Sequence, residues 1–180
     1  MKKALISLLI FCSFTSCSNS EERSVVSIKG DVEEIDSNIS KFLLVEQEIM
    51  DQSAEGGVLK GYCEGGELQK LTAEFLGETG RAIMHFYLKN GKLIFAVDQV
   101  ENFDRPITAG KVKPVSNKKK SFFVANGKLI AAEGNAEEWD NSREIMKDFN
   151  EFKERIECER GDREGNGGRS QRVPSELTEP

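Results

Sequence analysis

One sequence pattern constrains the fold of this chain more than any other. It reads aromatic residue, three residues, glycine, one residue, leucine, and its three copies begin at Tyr62, Tyr87 and Phe123. Each copy centres on Gly-Gly or Asn-Gly, which suit a type I′ turn because both central residues of that turn need positive φ. The pattern therefore predicts three β-hairpins of one antiparallel meander, with turns at Gly65-Gly66, Asn90-Gly91 and Asn126-Gly127.

The middle hairpin gives the most detailed prediction of the sheet. Side chains alternate between the two faces of a strand, so an unbroken register around a two-residue loop fixes which residues share a face. That register predicts three apolar cross-strand pairs: Leu88–Leu93, Phe86–Phe95 and Met84–Val97. We expect this apolar face to be buried. The other face is mixed and gives a candidate binding face of four residues: Tyr87, His85, Ile94 and Asp98.

A first helix is predicted before the hairpins. From Asp31 onward, apolar residues recur at steps of three and four, which is typical of one face of a helix. Asp31 with Glu34 resembles a capping box, and Gly56-Gly57 ends the pattern. These signals predict a helix over about 31–53. The alternative is a strand at 42–45, where four apolar residues run together.

A second helix is predicted after the hairpins. Asn135 with Glu138 offers a capping start, and an apolar stripe continues to about Glu157: Trp139, Ile145, Met146, Phe149, Phe152 and Ile156. The predicted fold class is α+β, with an antiparallel meander of five to six strands packed against an N-terminal and a C-terminal amphipathic helix. Both helices are expected on the apolar face of the sheet, forming two layers over residues 25–158.

Two stretches fall outside this pattern. Between Phe103 and Lys120, two prolines, a glycine and the run Lys118–Lys120 predict a loop or a weak edge strand. Residues 159–180 are almost purely polar and rich in glycine. Such a segment buries too little apolar surface to offset its ordering entropy, so a disordered tail is predicted there.

The beginning of the chain carries a targeting pattern. Lys2 and Lys3 precede a short apolar stretch, and Phe14-Thr15-Ser16 lead to Cys17. This arrangement resembles the signal peptide of bacterial lipoproteins. The resemblance implies a signal peptide at 1–16, a lipidated tether at 17–24, and acyl chains such as palmitate on Cys17. Ser18 after the cysteine implies the outer membrane by the same analogy. The alternative is a secretory signal that is cut without lipidation.

Cysteine usage follows from that resemblance. Cys12 would leave with the signal peptide and Cys17 would carry lipid, so Cys63 and Cys158 remain. Disulfides persist in the periplasm and at the cell surface, and a bond between these two residues is predicted. The alternative is two unrelated cysteines. Two distant cysteines and a single histidine make a poor metal site, and neither a metal nor a cofactor is expected.

Net charge narrows the class of partner. The chain has a formal net charge of −6, which becomes −8 when Lys2 and Lys3 are removed. Nucleic-acid binding requires a basic footprint, so this balance argues against it. It also argues against electrostatic adhesion to anionic lipid, and we expect the acyl chains on Cys17 to hold the protein at the membrane.

The chemistry of the chain favours a binding protein over an enzyme. The only histidine, His85, has Asp98 as a predicted diagonal neighbour, but no serine lies in a G-x-S-x-G context. The aromatic-Asn-Gly hairpins of residues 58–132 resemble those of bacterial envelope proteins and, distantly, MORN-type repeats, which implies no catalytic residues. We expect a non-enzymatic module that binds another envelope protein or a cell-wall component. The alternatives are a small-ligand carrier with a cavity between helices and sheet, and a hydrolase using His85.

Overall fold

A computed structural model describes residues 24–50, 53, 55–134 and 142–159. Its centre is one antiparallel sheet of seven strands in simple sequence order. The strands are β1 Leu43–Ile49, β2 Gly57–Glu64, β3 Glu67–Gly77, β4 Gly80–Lys89, β5 Lys92–Phe103, β6 Pro114–Ala125 and β7 Lys128–Gly134. The helices are α1 Val25–Asn38 and α2 Ser142–Glu154. The α+β meander between two helices agrees with the prediction, whereas the strand count is seven and not five to six.

The three predicted hairpin turns are confirmed. The central pairs of all three turns have positive φ: 60° and 84° at Gly65-Gly66, 53° and 70° at Asn90-Gly91, and 52° and 73° at Asn126-Gly127. The only described non-glycine residues with positive φ are the two asparagines of these turns. Asparagine tolerates this region better than other side chains, which explains why the turn pattern could be identified from sequence.

Each copy of the repeated pattern also contains a β-bulge. In the middle hairpin, Leu88 faces Leu93 as predicted, but Tyr87 then faces Phe95, so Ile94 is an extra residue. The same shift follows the leucine in the other two hairpins, where Gln69 and Ile130 are the extra residues. A bulge places two residues of one strand opposite one residue of its partner. The predicted pairs beyond Leu88–Leu93 are therefore wrong by one residue: Phe86 faces Ala96, and Met84 faces Asp98.

The first helix begins and ends earlier than predicted. Ser24 caps α1 by accepting a hydrogen bond from the backbone N–H of Ser27 at 3.2 Å, and the helix ends at Asn38. The segment 43–49 is strand β1, which pairs with β2 along its whole length. The helix prediction over 31–53 is therefore confirmed only for residues 31–38, and beyond them the strand alternative for 42–45 is the better one. Backbone pairing with β2 outweighs the helical spacing of apolar residues there.

The segment before the last hairpin is mostly strand. β6 begins at Pro114, and Lys118, Lys119 and Lys120 face Val100, Gln99 and Asp98 of β5. The connecting loop covers only 104–113. β7 ends at Gly134, opposite Lys120, so among the described strands the first half of β6 has a neighbour, β5, on one side only. The edge-strand alternative therefore describes this half correctly.

The two helices lie on opposite faces of the sheet. α1 packs Ile28 and Ile35 on Tyr87, Ile94 and Phe123. α2 packs its apolar stripe on the other face, in the larger core. The stripe and its sheet partners are Ile145, Phe149, Phe152 and Ile156 against Phe86, Leu59 and Leu71. The fold therefore has three layers, and the prediction of both helices on one face is wrong. The bulges cause this difference, because they move Phe95 onto the face of Tyr87 and Phe123 and make that face apolar as well.

Candidate functional site: the open face of the sheet

The predicted binding face is largely covered in the structure. Tyr87 and Ile94 are only 5% and 3% exposed because α1 lies over them. Asp98 lies opposite Met84 on the α2 face, so it does not share a surface with His85. The prediction of this surface required both helices to cover the other face of the sheet. It is wrong, because α1 lies on the predicted surface itself. Of the four, His85 alone is partly exposed on the α1 side.

A charged contact fixes α1 on the sheet. Asp36 accepts hydrogen bonds from Lys70 Nζ at 2.7 Å and from the Tyr87 hydroxyl at 3.1 Å. Lys70 is the one buried charged residue of the described part of the chain, and its ammonium lies 4.5 Å from the centre of the Tyr87 ring. Burial and the neighbouring Asp36 carboxylate raise the pKa of Tyr87, so its hydroxyl stays protonated and donates. Lys89 also contacts Asp31.

His85 lies at the border of the region that α1 covers. Its Nδ1 is 3.1 Å from Thr72 Oγ1, the hydroxyl of the facing residue on β3. Burial, followed by the positive charge of Lys70, lowers the pKa of His85 to about 4. The ring is therefore neutral at neutral pH. The predicted approach of Asp98 is wrong, because the bulge at Ile94 turns Asp98 to the opposite face.

Beyond His85, no described helix covers the α1 side of the sheet. The register places three successive cross-strand rows there, which we call the open face. The rows are Glu46, Lys60, Thr72, His85, Val97 and Ser121; then Glu48, Val58, Glu74, Ile83, Gln99 and Lys119; then Leu76, Arg81, Glu101 and Asn117. The open face is mixed in character, with half-buried Val58 and Ile83 among charged residues.

Arg81 is the centre of a hydrogen-bonded network on the open face. Arg81 donates from Nε to Glu101 at 2.7 Å and from Nη1 to Glu74 at 3.2 Å. Glu101 also accepts from the side-chain amides of Gln99 at 2.8 Å and Asn117 at 3.4 Å. The hydrogen bond with Glu101 is the main reason that the pKa of Arg81 is raised. Glu101 is only 13% exposed, so its carboxylate relies mainly on these hydrogen bonds rather than on solvent.

Three cavities of similar volume reach the α1 side of the sheet. One, of about 340 Å³, lies at the turn between β3 and β4 and is lined from both faces, by Leu76 and Arg81 on the α1 side and by Phe75, Ala82 and Val100 on the α2 side. A second, of about 360 Å³, lies at the edge of the open face, where Met50, Val58 and Leu76 line it together with Glu48 and Glu74. The third, of about 370 Å³, lies between the second half of α1 and the ends of two hairpins. Half of its lining residues are charged: Asp31, Glu34, Lys41, Glu64, Glu67 and Lys89. The charged lining of this cavity under α1 differs from the apolar cavity that a lipid carrier needs.

Asp98 has a different environment from the one predicted. It lies near Lys120 of β6 and Glu144 of α2, and burial raises its pKa. Burial and the nearby Glu144 carboxylate also raise the pKa of Asp148 on α2. These carboxylates belong to the edge of the α2 core. Among the described residues, no group of three or more His, Cys, Asp or Glu side chains could hold a metal ion.

The remaining predicted features are the cysteine pair and several segments that the structure does not describe. The structure brings Cys63 of β2 and Cys158 after α2 into disulfide geometry, with Cα atoms 5.7 Å apart. Gly61 of β2 allows the same close approach, since a Cβ there would lie 2.4 Å from Ile156. Several predicted features lie outside the described residues: the signal peptide, Cys17 with the tether up to residue 23, the capping start at Asn135, Trp139, and the tail from 160. No described helix combines the length and the apolar character required to cross a bilayer.

Comparisons with protein-family models, with curated proteins and with solved structures give no match for this chain.

Proposed function

We propose that this chain is a lipid-anchored lipoprotein of the bacterial envelope that acts as a non-enzymatic binding module. Its binding surface is the open face of the sheet, rather than the face centred on Tyr87 and Ile94. The observation that carries the proposal is the network of Arg81, Glu74, Glu101 and Gln99 on a sheet face that no described helix covers.

Pre-ordered side chains favour binding. A partner that docks on flexible side chains must immobilise each of them, at about 0.5–1.5 kcal/mol per side chain. The Arg81 guanidinium and the Glu101 carboxylate are already held by hydrogen bonds, and the sheet beneath them is paired on both sides. Half-buried Ile83 and Val58 add apolar surface between the charges. A face of this kind suits another envelope protein or a cell-wall component.

The envelope location is supported by two independent features of the chain. The pattern from Lys2 to Cys17 resembles a lipoprotein signal, which implies an acyl anchor on Cys17 in the outer membrane. Cys63 and Cys158 lie in disulfide geometry, and such bonds persist in oxidising compartments such as the periplasm. The anchored protein would present the open face to the space beside the membrane.

Site-specific cross-linking in intact cells tests the binding surface. A photoreactive residue is placed at Ile83 or Lys60 on the open face, and at Lys92 or Lys128 beside the hairpin turns as controls. We expect one adduct of defined mass from the open-face positions and not from the controls. Arg81→Ala should reduce the yield of the adduct formed from position 83, since the Arg81 guanidinium is the centre of the network. Equal adducts from all four positions, or adducts from the controls alone, would exclude the open face.

A small-ligand carrier is the second candidate, and the cavity under α1 favours it. Four of its six charged lining residues are acidic, so the ligand that fits is a small cation rather than a lipid. Spermidine is a suitable probe. A carrier function predicts that spermidine raises the melting temperature of the wild-type protein and leaves that of the Glu64→Gln/Glu67→Gln variant unchanged. Equal shifts in both proteins would remove this candidate.

A further inference from the structure

The net charge of the whole chain conceals one strongly basic stretch. Residues 105–120 contain six Lys or Arg residues and no Asp or Glu, although the chain as a whole has a net charge of −6. We call this stretch the basic segment. It covers the loop between β5 and β6 and the first half of β6. Exposed charges interact over about 8 Å at physiological ionic strength, so a local cluster of this kind acts independently of the distant acidic residues.

The cationic side chains of the basic segment are available. Lys111, Lys113, Lys118 and Lys119 are exposed, and none of them forms an ion pair with a described residue. The two other cations differ, because Arg105 bonds Asp104 and Lys120 is half-buried near Asp98. Within the described ranges, the unpaired positive charge of the segment is therefore that of four lysines.

Apolar side chains project among these lysines. Val115 is 64% exposed and Ile107 is 37% exposed. Lys118 and Lys119 project from opposite faces of β6. β7 pairs with β6 only from Lys120 onward, so it leaves the stretch from Pro114 to Lys119 uncovered. The basic segment thus forms a projecting edge with cations on both sides and apolar side chains along it. Amphipathic helices that bind the boundary between headgroups and acyl chains likewise combine lysines with exposed apolar side chains.

The chain enters the fold at the same edge. Lys29 in α1 bonds Glu133 of β7 at 2.8 Å, and Glu133 lies opposite Ser121, two residues from Lys119. Seven residues separate Cys17 from Val25, and fully extended they would reach at most about 25 Å. A lipid anchor at Cys17 would therefore hold the β6–β7 edge close to the bilayer, with the basic segment within reach of the headgroups.

We propose that the basic segment is a docking surface for anionic phospholipid headgroups, and that it orients the β6–β7 edge toward the membrane. Each lysine near an anionic membrane surface increases partitioning about fivefold. The net charge of the chain predicted no electrostatic adhesion to anionic lipid. A net charge does not describe the local cluster of positive charge that Lys111, Lys113, Lys118 and Lys119 form at one edge. A nucleic acid fits this edge less well, because the exposed residues of the segment include no aromatic side chain for stacking on bases.

Vesicle co-sedimentation tests the proposal on the full chain with Cys17→Ser, which carries no acyl group. The probe is vesicles of 30% phosphatidylglycerol in phosphatidylcholine, with pure phosphatidylcholine subtracted as background. In a second variant, Lys111, Lys113, Lys118 and Lys119 are changed to Gln. A matched control changes Lys41, Lys92, Lys128 and Lys147 to Gln, which removes the same charge from other surfaces. Circular dichroism melts establish that all three proteins fold.

We expect the basic-segment variant to lose at least about 50-fold in phosphatidylglycerol-dependent partitioning, and the control to lose less than about fivefold. Raising the NaCl concentration from 50 to 500 mM should weaken vesicle binding by the wild-type and control proteins, and should leave the residual binding of the basic-segment variant unchanged. Val115→Asp should weaken binding more than Ile130→Asp on β7, if the apolar side chains enter the headgroup region.

Three results would overturn the proposal. The first is equal binding by the basic-segment variant and the control. The second is no binding by the wild-type protein, together with lysine-dependent binding to poly-glutamate, which would assign the segment to an acidic protein. The third is unchanged vesicle binding together with increased self-association of the basic-segment variant. That result would mean that the lysines prevent an unpaired strand edge from pairing with another chain. Because Cys17 is replaced throughout, none of these results depends on lipidation.

Discussion

The hydroxyl of Tyr87 donates a hydrogen bond to Asp36, 3.1 Å away, and this contact joins the middle hairpin to α1. Asp36 also accepts from Lys70 at 2.7 Å, so one carboxylate satisfies two groups that α1 covers. The aromatic residue of the repeated pattern therefore serves the interface between helix and sheet. It is unavailable to a partner, and the binding surface that we propose lies farther along the strands, beyond His85.

Replacing Asp36 should loosen α1. Asp36→Ala leaves the buried ammonium of Lys70 without its carboxylate, and a loss of about 2–3 kcal/mol in the free energy of unfolding is expected. Urea unfolding measures it. In the double variant Asp36→Ala/Lys70→Met part of the loss should be recovered, because the uncompensated charge is gone. Lys29→Ala, which breaks an exposed pair with Glu133, should cost under about 0.5 kcal/mol. Equal losses for Asp36→Ala and Lys29→Ala would contradict this account.

The pair Cys63 and Cys158 should stabilise the fold through a bond across 95 residues of sequence. Closing a loop of this length in the unfolded chain contributes about 4 kcal/mol in the chain-entropy model. The Cys63→Ser/Cys158→Ser variant should therefore unfold at a clearly lower urea concentration than the oxidised wild type. Dithiothreitol should lower the wild-type midpoint to nearly that of the variant. No response of the wild type to dithiothreitol would mean that the thiols are free.

His85 should make stability depend on pH. Its pKa is about 4 in the folded protein and about 6.5 when unfolded, so between these values the unfolded state binds more protons. The contribution of His85 is intact above pH 6.5 and is lost progressively as the pH falls toward 4. After allowance for partial exposure, we expect the wild type to lose about 1–2 kcal/mol more than His85→Gln between pH 7.5 and pH 4.5. Parallel pH profiles of the two proteins would refute the burial of His85.

Two glycines should respond to alanine with opposite signs. Gly61→Ala would bring a Cβ to 2.4 Å from Ile156 beside the Cys63–Cys158 link, and a loss of about 1–3 kcal/mol is expected from overpacking. Gly30 lies inside α1, and a Cβ added there would meet no atom within 4 Å, so Gly30→Ala should gain about 0.5–1 kcal/mol from helix propensity. Thermal melts of the two variants measure both effects. A stabilising Gly61→Ala would contradict the close packing of Ile156 on β2.

The hairpin turns could be predicted because positive φ is a local requirement of the Asn-Gly and Gly-Gly pairs. The bulges were missed, although they left a signal in the sequence. Leu93-Ile94 and Leu129-Ile130 place two large apolar residues side by side, which breaks the alternation of a strand with one buried face. That single extra residue decides whether Asp98 lies near His85 or on the opposite face.

The start of α1 was also within reach of sequence reasoning. Ser24 directly precedes Val25, Ile28, Val32 and Ile35, which share a helical face. The network of the open face was beyond it, because Arg81, Glu74 and Glu101 come from three strands whose relative register depends on the bulge. The position of α1 over only part of the sheet depends on a long-range contact, between Asp36 and Lys70, that no local pattern specifies.

Mass spectrometry of the N-terminal peptide tests whether Cys17 holds this chain at a membrane, as we propose. The protein is isolated from the membrane fraction of the bacterial cells that express it, beside a Cys17→Ser variant. The account predicts a mature chain that begins at Cys17 and carries diacylglyceryl and acyl groups, and an unlipidated variant. An N-terminus that begins elsewhere, or an unmodified Cys17 in protein from the membrane fraction, would contradict it.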